Sequence, residues 1–171
     1  MIRYCVDKWN KNYKKLKLAL EREEELQHCC YTYLVKLVVE NIFNEGCDYN
    51  SERWSVEKIT EIDNGDYQGT LLWIIPQDTY QPSETEYLMT FVNYGSCSGC
   101  DTLQSIQSIM DVLSDEEVIK KFMQLCKDLV CNTIKPYNYG WRYKKEFDVI
   151  EAKKRGVTVC NALAKAAKTE K

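Results

Sequence analysis

The dipeptide Asn64-Gly65 separates two runs of strand-forming residues and limits the fold more than any other feature of the chain. Both residues tolerate positive φ, so the pair predicts a tight hairpin. A strand is expected near 54–62 and another near 67–75. The run 71–75 is apolar without a break, which predicts a central strand, and Pro76 ends it. The loop QDTYQPSE follows. Residues 86–94 then carry Tyr, Phe, Val and Thr, and predict a third strand. The simplest arrangement is an antiparallel meander. In it, the 78–83 loop lies at the sheet end opposite both the Asn64-Gly65-Asp66 turn and the segment after Tyr94.

The rest of the pattern is helical. Val6, Trp9, Tyr13, Leu16 and Leu20 recur at spacings of three and four, predicting an amphipathic helix over 6–22. Residues 24–43 are richer in apolar side chains, among them Leu26, Tyr31, Leu34, Val38, Ile42 and Phe43. They predict a more buried second helix, with Gly46 as a left-handed stop. Asp101 reads as an N-cap with Gln104 three residues on, ahead of a buried face of Leu103, Ile106, Ile109, Met110 and Leu113. Ser114 and Glu117 form a second capping box. The helix they open buries Val118, Phe122, Leu125, Leu129 and Val130, and is expected to reach Ile134 before Pro136. The expected class is therefore α+β, an antiparallel three- to four-stranded meander sheet packed by about four helices. The domain covers 1–136, with 141–150 as the source of any fourth strand. Residues 137–171 read as a C-terminal extension with a basic tail and room for a short helix at 157–168.

A formal charge of −3 over 171 residues gives no global field for nucleic acid or anionic lipid. The charge is uneven, however. Residues 152–171 hold Lys153, Lys154, Arg155, Lys165, Lys168 and Lys171 against Glu170 alone. This tail is the one segment suited to a nucleic-acid contact, although a solvated terminus explains it as well. No apolar run approaches the roughly 20 residues of a membrane span, and the start MIRYCVDKWNKNYKK has no apolar signal core. The expectation is a cytoplasmic protein, without a membrane partner, whose thiols stay reduced. The 9 cysteines are odd in number and do not space like a disulfide framework. Cys5, Cys126, Cys131 and Cys160 sit within helical patterns and read as small buried hydrophobes.

The block GDYQGTLLWIIPQDTYQPSETEYLMTFVNYGSCSGCDTLQSIQ resembles an uncharacterised family of small proteins encoded by bacteriophages and prophages. The opening VDKWNKNYKKLKLALE and the segment LSDEEVIKKFMQLCKDLVCNTIKPY resemble the flanks of the same family. The similarity covers about residues 6–136. It implies a phage context, and hence a host-cell cytoplasm, but no activity.

Within that block, Cys97-Ser98-Gly99-Cys100 stands at a strand-to-helix junction. Three readings compete. A redox pair would profit from the partial positive charge of a helix N-terminus, but such enzymes use a βαβ crossover, which a hairpin meander lacks. Structural zinc needs four ligands. The available set is Cys97, Cys100, His28 and Cys29, with Cys47 as a substitute, and adjacent ligands on a helix point apart. The third reading makes the segment a turn, with Asp101 capping the helix and the thiols half buried, and it is preferred. No cofactor is then expected. No Ser/His/Asp set, Walker loop or dinucleotide fingerprint is present.

The preferred function is binding to a host protein or defence complex, most concretely as an inhibitor of a bacterial defence system. Tyrosines among small polar residues suit recognition. The contact surface is placed on Asp66, Tyr67, Gln68, Tyr94, Cys97, Cys100 and Asp101. The alternative is a metal- or thiol-dependent enzyme centred on the two cysteines.

Overall fold

The computed structural model describes residues 2–47, 52–83 and 86–134. It is α+β, with four helices and one three-stranded antiparallel sheet. The expected fourth strand at 141–150, the helix at 157–168, Cys160 and the basic tail lie outside the described residues.

Helix α1 (Ile2–Glu21) begins earlier than the stripe predicted. Its buried line is also rotated. Cys5, Asn12, Leu16 and Leu20 face inward, whereas Val6 and Tyr13, expected inside, are 48% and 38% exposed. The reason is a polar anchor. The Asn12 amide donates to the Ile42 carbonyl at 2.8 Å, and the Lys8 ammonium donates to the Phe43 carbonyl at 2.7 Å. Helix-terminal carbonyls need such partners when buried, and the two donors decide which side of α1 turns in.

The second helix is not continuous over 24–43. Leu26–His28 forms one 3-10 turn, Cys29 and Cys30 are extended, and α2 runs over Tyr31–Val38. The break has a partner across the fold. Gln107 Nε2 donates to the carbonyls of Leu26 at 3.3 Å and Cys29 at 2.8 Å. A π-helical turn, Val39–Phe43, extends α2, and Gly46 follows at φ 68°, as its position predicted.

Strands β1 (Thr60–Asp63), β2 (Gly69–Pro76) and β3 (Tyr87–Tyr94) pair in the order β1-β2-β3, so β2 is central as expected. β1 starts later than the predicted 54–62, because a turn in which Lys58 N–H donates to Ser55 Oγ intervenes. Trp54 still bridges Gln77. The Asn64-Gly65 hairpin forms, but not as a two-residue left-handed turn. Asp63 pairs with Leu71, and neither Asn64 nor Gly65 has positive φ. Side chains shape the wider loop instead. Asp63 Oδ1 accepts from Gly65 N–H at 3.0 Å, and Asn64 Oδ1 accepts from Thr70 N–H at 2.6 Å.

The sheet buries both faces. Trp73, Ile75 and Leu88 join the helices in the main core, and Ile62, Leu72, Ile74, Met89 and Phe91 form a second cluster on the other face, with Tyr87 and Ile134 against it. This alternation of destinations explains why β2 is apolar at successive positions. Helix α3 (Thr102–Gln107) is short, and Met110–Val112 makes a separate 3-10 turn. Helix α4 (Asp115–Cys131) opens on the predicted capping box, in which the Glu117 carboxylate accepts from Ser114 N–H at 3.0 Å. It ends before Ile134, which instead bridges to Met89. Thr90 Oγ1 donates to the Leu129 carbonyl at 2.7 Å and ties β3 to α4. Cys5 and Cys126 are buried as expected. Cys131 is exposed, a correction that follows from its place at the outer end of α4. No helix among the described residues is long and apolar enough to cross a membrane.

Candidate functional site

The site is assembled at the sheet end where β1 passes to β2 and where β3 stops. The β2–β3 register sets Gly69 opposite Tyr94. Tyr94 therefore stands over the 64–68 loop, and its hydroxyl reaches both Asp63 Oδ1 and the Gly65 carbonyl at 2.7 Å. The hydrogen bond to the Asp63 carboxylate pushes the Tyr94 phenol up to about 12. The bond braces the loop, and the loop presents Asp66, Tyr67 and Gln68 to solvent, with Tyr67 80% exposed. Thus the structure brings Asp66, Tyr67, Gln68 and Tyr94 to one edge, as the meander implied.

Gly95 then leads into the cysteine turn. A β-carbon there would lie 2.7 Å from Cys100 Cβ and 2.8 Å from the Cys100 carbonyl oxygen. Only glycine lets the strand end pass so close to the turn. The Cys97 carbonyl accepts from both Cys100 N–H and Asp101 N–H at 2.9 Å. The two thiols are exposed, not half buried as expected, and their sulfurs lie 2.9 Å apart. The Cys97 thiol is held below its ordinary range, first by the Cys100 thiol and then by backbone N–H groups of Gly99 and Cys100. Helix α3 is too short to account for this through its dipole, so the cause is the local turn.

Asp101 faces inward. It is buried, its carboxylate accepts from Gln104 N–H at 2.8 Å as the N-cap reading predicted, and it also accepts from the Tyr31 hydroxyl at 3.3 Å. Leu103 N–H donates to the same Tyr31 oxygen at 3.0 Å. Burial, more than the neighbouring carboxylate, drives the Tyr31 phenol upward. Asp101 thus serves the scaffold beneath the surface.

Two grooves flank the turn. One, about 420 Å³, runs between α3 and α4 past Cys100, Ser105, Lys121, Gln124 and Asp128. The other, about 240 Å³, is walled by Cys30, Thr32, Glu61, Tyr94 and Gln104. Behind two of these, the buried Trp73 donates through Nε1 to Thr32 Oγ1 at 2.8 Å and Glu61 Oε2 at 3.1 Å, and the Thr32 hydroxyl bonds Glu61. Sequence reasoning missed Thr32, Glu61 and Lys121. Each is a surface residue of its own element, and only long-range packing gives it a neighbour. The zinc set does not come together. Cys29 sits against Gln107 at the far end of α3, where burial pushes its thiol up to about 11. Among the described residues no three His, Cys, Asp or Glu side chains converge to hold a metal ion. Neither a family model, nor a curated protein, nor a solved structure matches the chain.

Proposed function

We propose that the chain is a phage-encoded accessory protein that binds a host macromolecule in the host cytoplasm, in its most concrete form as an inhibitor of a bacterial defence complex. The observation that carries the reading is the braced loop at the sheet end. A tyrosine 80% exposed sits between Asp66 and Gln68 on a loop that Tyr94 clamps from β3. An aromatic ring on a rigid support has little entropy left to lose on docking, which is what a contact anchor requires. The resemblance to phage and prophage proteins supplies the context. The basic residues from Lys153 onward provide a second contact, to nucleic acid or an acidic partner.

The test is affinity capture from bacterial lysate with three full-length proteins: the natural chain, Tyr67→Ala and Tyr80→Ala. Tyr80 is fully exposed in the loop between β2 and β3, at the other end of the sheet. The same partner recovered with the natural chain and Tyr80→Ala, and lost with Tyr67→Ala, supports the reading. Recovery of no partner in repeated trials, or capture indifferent to Tyr67→Ala, removes it.

A further inference from the structure

Cys97 and Cys100 close a hydrogen-bonded turn, since Cys100 N–H donates to the Cys97 carbonyl at 2.9 Å. Such a turn brings its end Cα atoms within about 7 Å, the span that a disulfide bridges. Their sulfurs are 2.9 Å apart. No third metal-ligating side chain converges on the pair among the described residues. Both thiols are open to solvent. The open groove of about 420 Å³ beside Cys100 leaves room for a compact reagent next to the pair, with Lys121 and Asp128 both on its wall to meet the ammonium and carboxylate groups of a peptide.

We propose that Cys97 and Cys100 are a reversible dithiol–disulfide couple that exchanges with small peptidyl disulfides, with Cys97 as the attacking sulfur. Cys100 Sγ donates to the Cys97 carbonyl at 3.3 Å, which ties up the Cys100 proton. The Cys97 thiolate, favoured first by the Cys100 thiol and then by the Gly99 and Cys100 N–H groups, attacks one sulfur of the incoming disulfide. That S–S bond breaks, one thiolate leaves, and a mixed disulfide forms on Cys97. Cys100 then loses its proton and attacks Cys97 Sγ. The mixed disulfide breaks, the second thiolate leaves, and the Cys97–Cys100 bond forms. The protein dithiol is oxidised by two electrons, and the small disulfide is reduced to two thiols. The couple stands independently of the docking reading, because it needs neither Tyr67 nor a macromolecular partner.

The experiment treats the reduced full-length protein with oxidised glutathione, blocks residual thiols, and maps the products by peptide mass spectrometry. The expected result is a bond joining Cys97 to Cys100 within one peptide, and recovery of both thiols with dithiothreitol. Cys100→Ser is expected to retain one glutathione on Cys97, and Cys97→Ser to form no internal bond. The proposal is overturned if Cys97 and Cys100 stay reduced while the exposed Cys131 is modified. It is equally overturned if glutathione accumulates on Cys100 without ring closure, or if the purified protein carries stoichiometric zinc that shields both thiols.

Discussion

Tyr94 shows how one hydroxyl can organise a surface. It ends β3, yet its partners are Asp63 at the end of β1 and Gly65 in the loop that follows, so it fastens three segments at one point. The neutral phenol donates to Asp63, and its folded value near 12 stands above the ordinary 10.0. A group whose folded value is raised contributes its stability below the unfolded value and loses it as pH climbs through the folded one. The clamp is therefore complete below about pH 10 and fails as pH rises towards 12. The difference in tyrosinate absorbance between the natural chain and Tyr94→Phe is expected to titrate near 12, and Asp63→Asn is expected to bring that phenol back towards 10. A Tyr94 that titrates at the ordinary value in the natural chain would mean the clamp does not form. Asp101 teaches a different lesson about single residues. Its N-cap role follows from spacing, but its second bond, to Tyr31, joins positions 70 residues apart and has no local signature.

Among the elements, α1 is the instructive case. Its C-terminal half favours helix by composition, with Lys, Leu, Ala and Glu predominating. The face it buries differs from the predicted stripe because apolar periodicity counts only carbon. Asn12 is buried because the π-helical end of α2 leaves the Ile42 carbonyl in need of a donor. Replacing it with a leucine would perfect the apolar stripe, yet leave a buried carbonyl unsatisfied. Asn12→Leu is accordingly expected to lose about 1–3 kcal/mol of stability, measured by urea unfolding. A neutral or stabilising result would show that the hydrogen bond does not set the orientation of α1. The same physics interrupts the second helical pattern. The apolar residues from Leu26 to Phe43 predict one cylinder, but Gln107 takes the Leu26 and Cys29 carbonyls, and the chain straightens between them.

For the molecule as a whole, core and candidate surface are separable. Phe122 is fully buried between the helices and the sheet, whereas Tyr67 makes no part of the core. Phe122→Ala is expected to cost about 3–5 kcal/mol, and Tyr67→Ala less than about 0.5 kcal/mol, by the same unfolding measurement. A comparable loss with Tyr67→Ala would mean that the ring supports the fold, and its effect on capture would then no longer report contact. The sulfur turn belongs to this scale as well. It lies between a groove bounded by α3 and α4 and another bounded by α2, β1 and β3.

The amino-acid pattern alone determined the α+β class, the meander with β2 at its centre, the capping of α3 and α4, and the left-handed stop at Gly46. Each of these rests on interactions within a few residues or on an apolar period, and such signals are written locally. Tertiary structure alone decided which side of α1 turns inward, where the second helix breaks, and that Cys29 lies away from the cysteine turn. Those outcomes depend on which distant donor meets which carbonyl, and on how closely two segments approach. Neither quantity has a period in the sequence, because both come into existence only when the chain is packed.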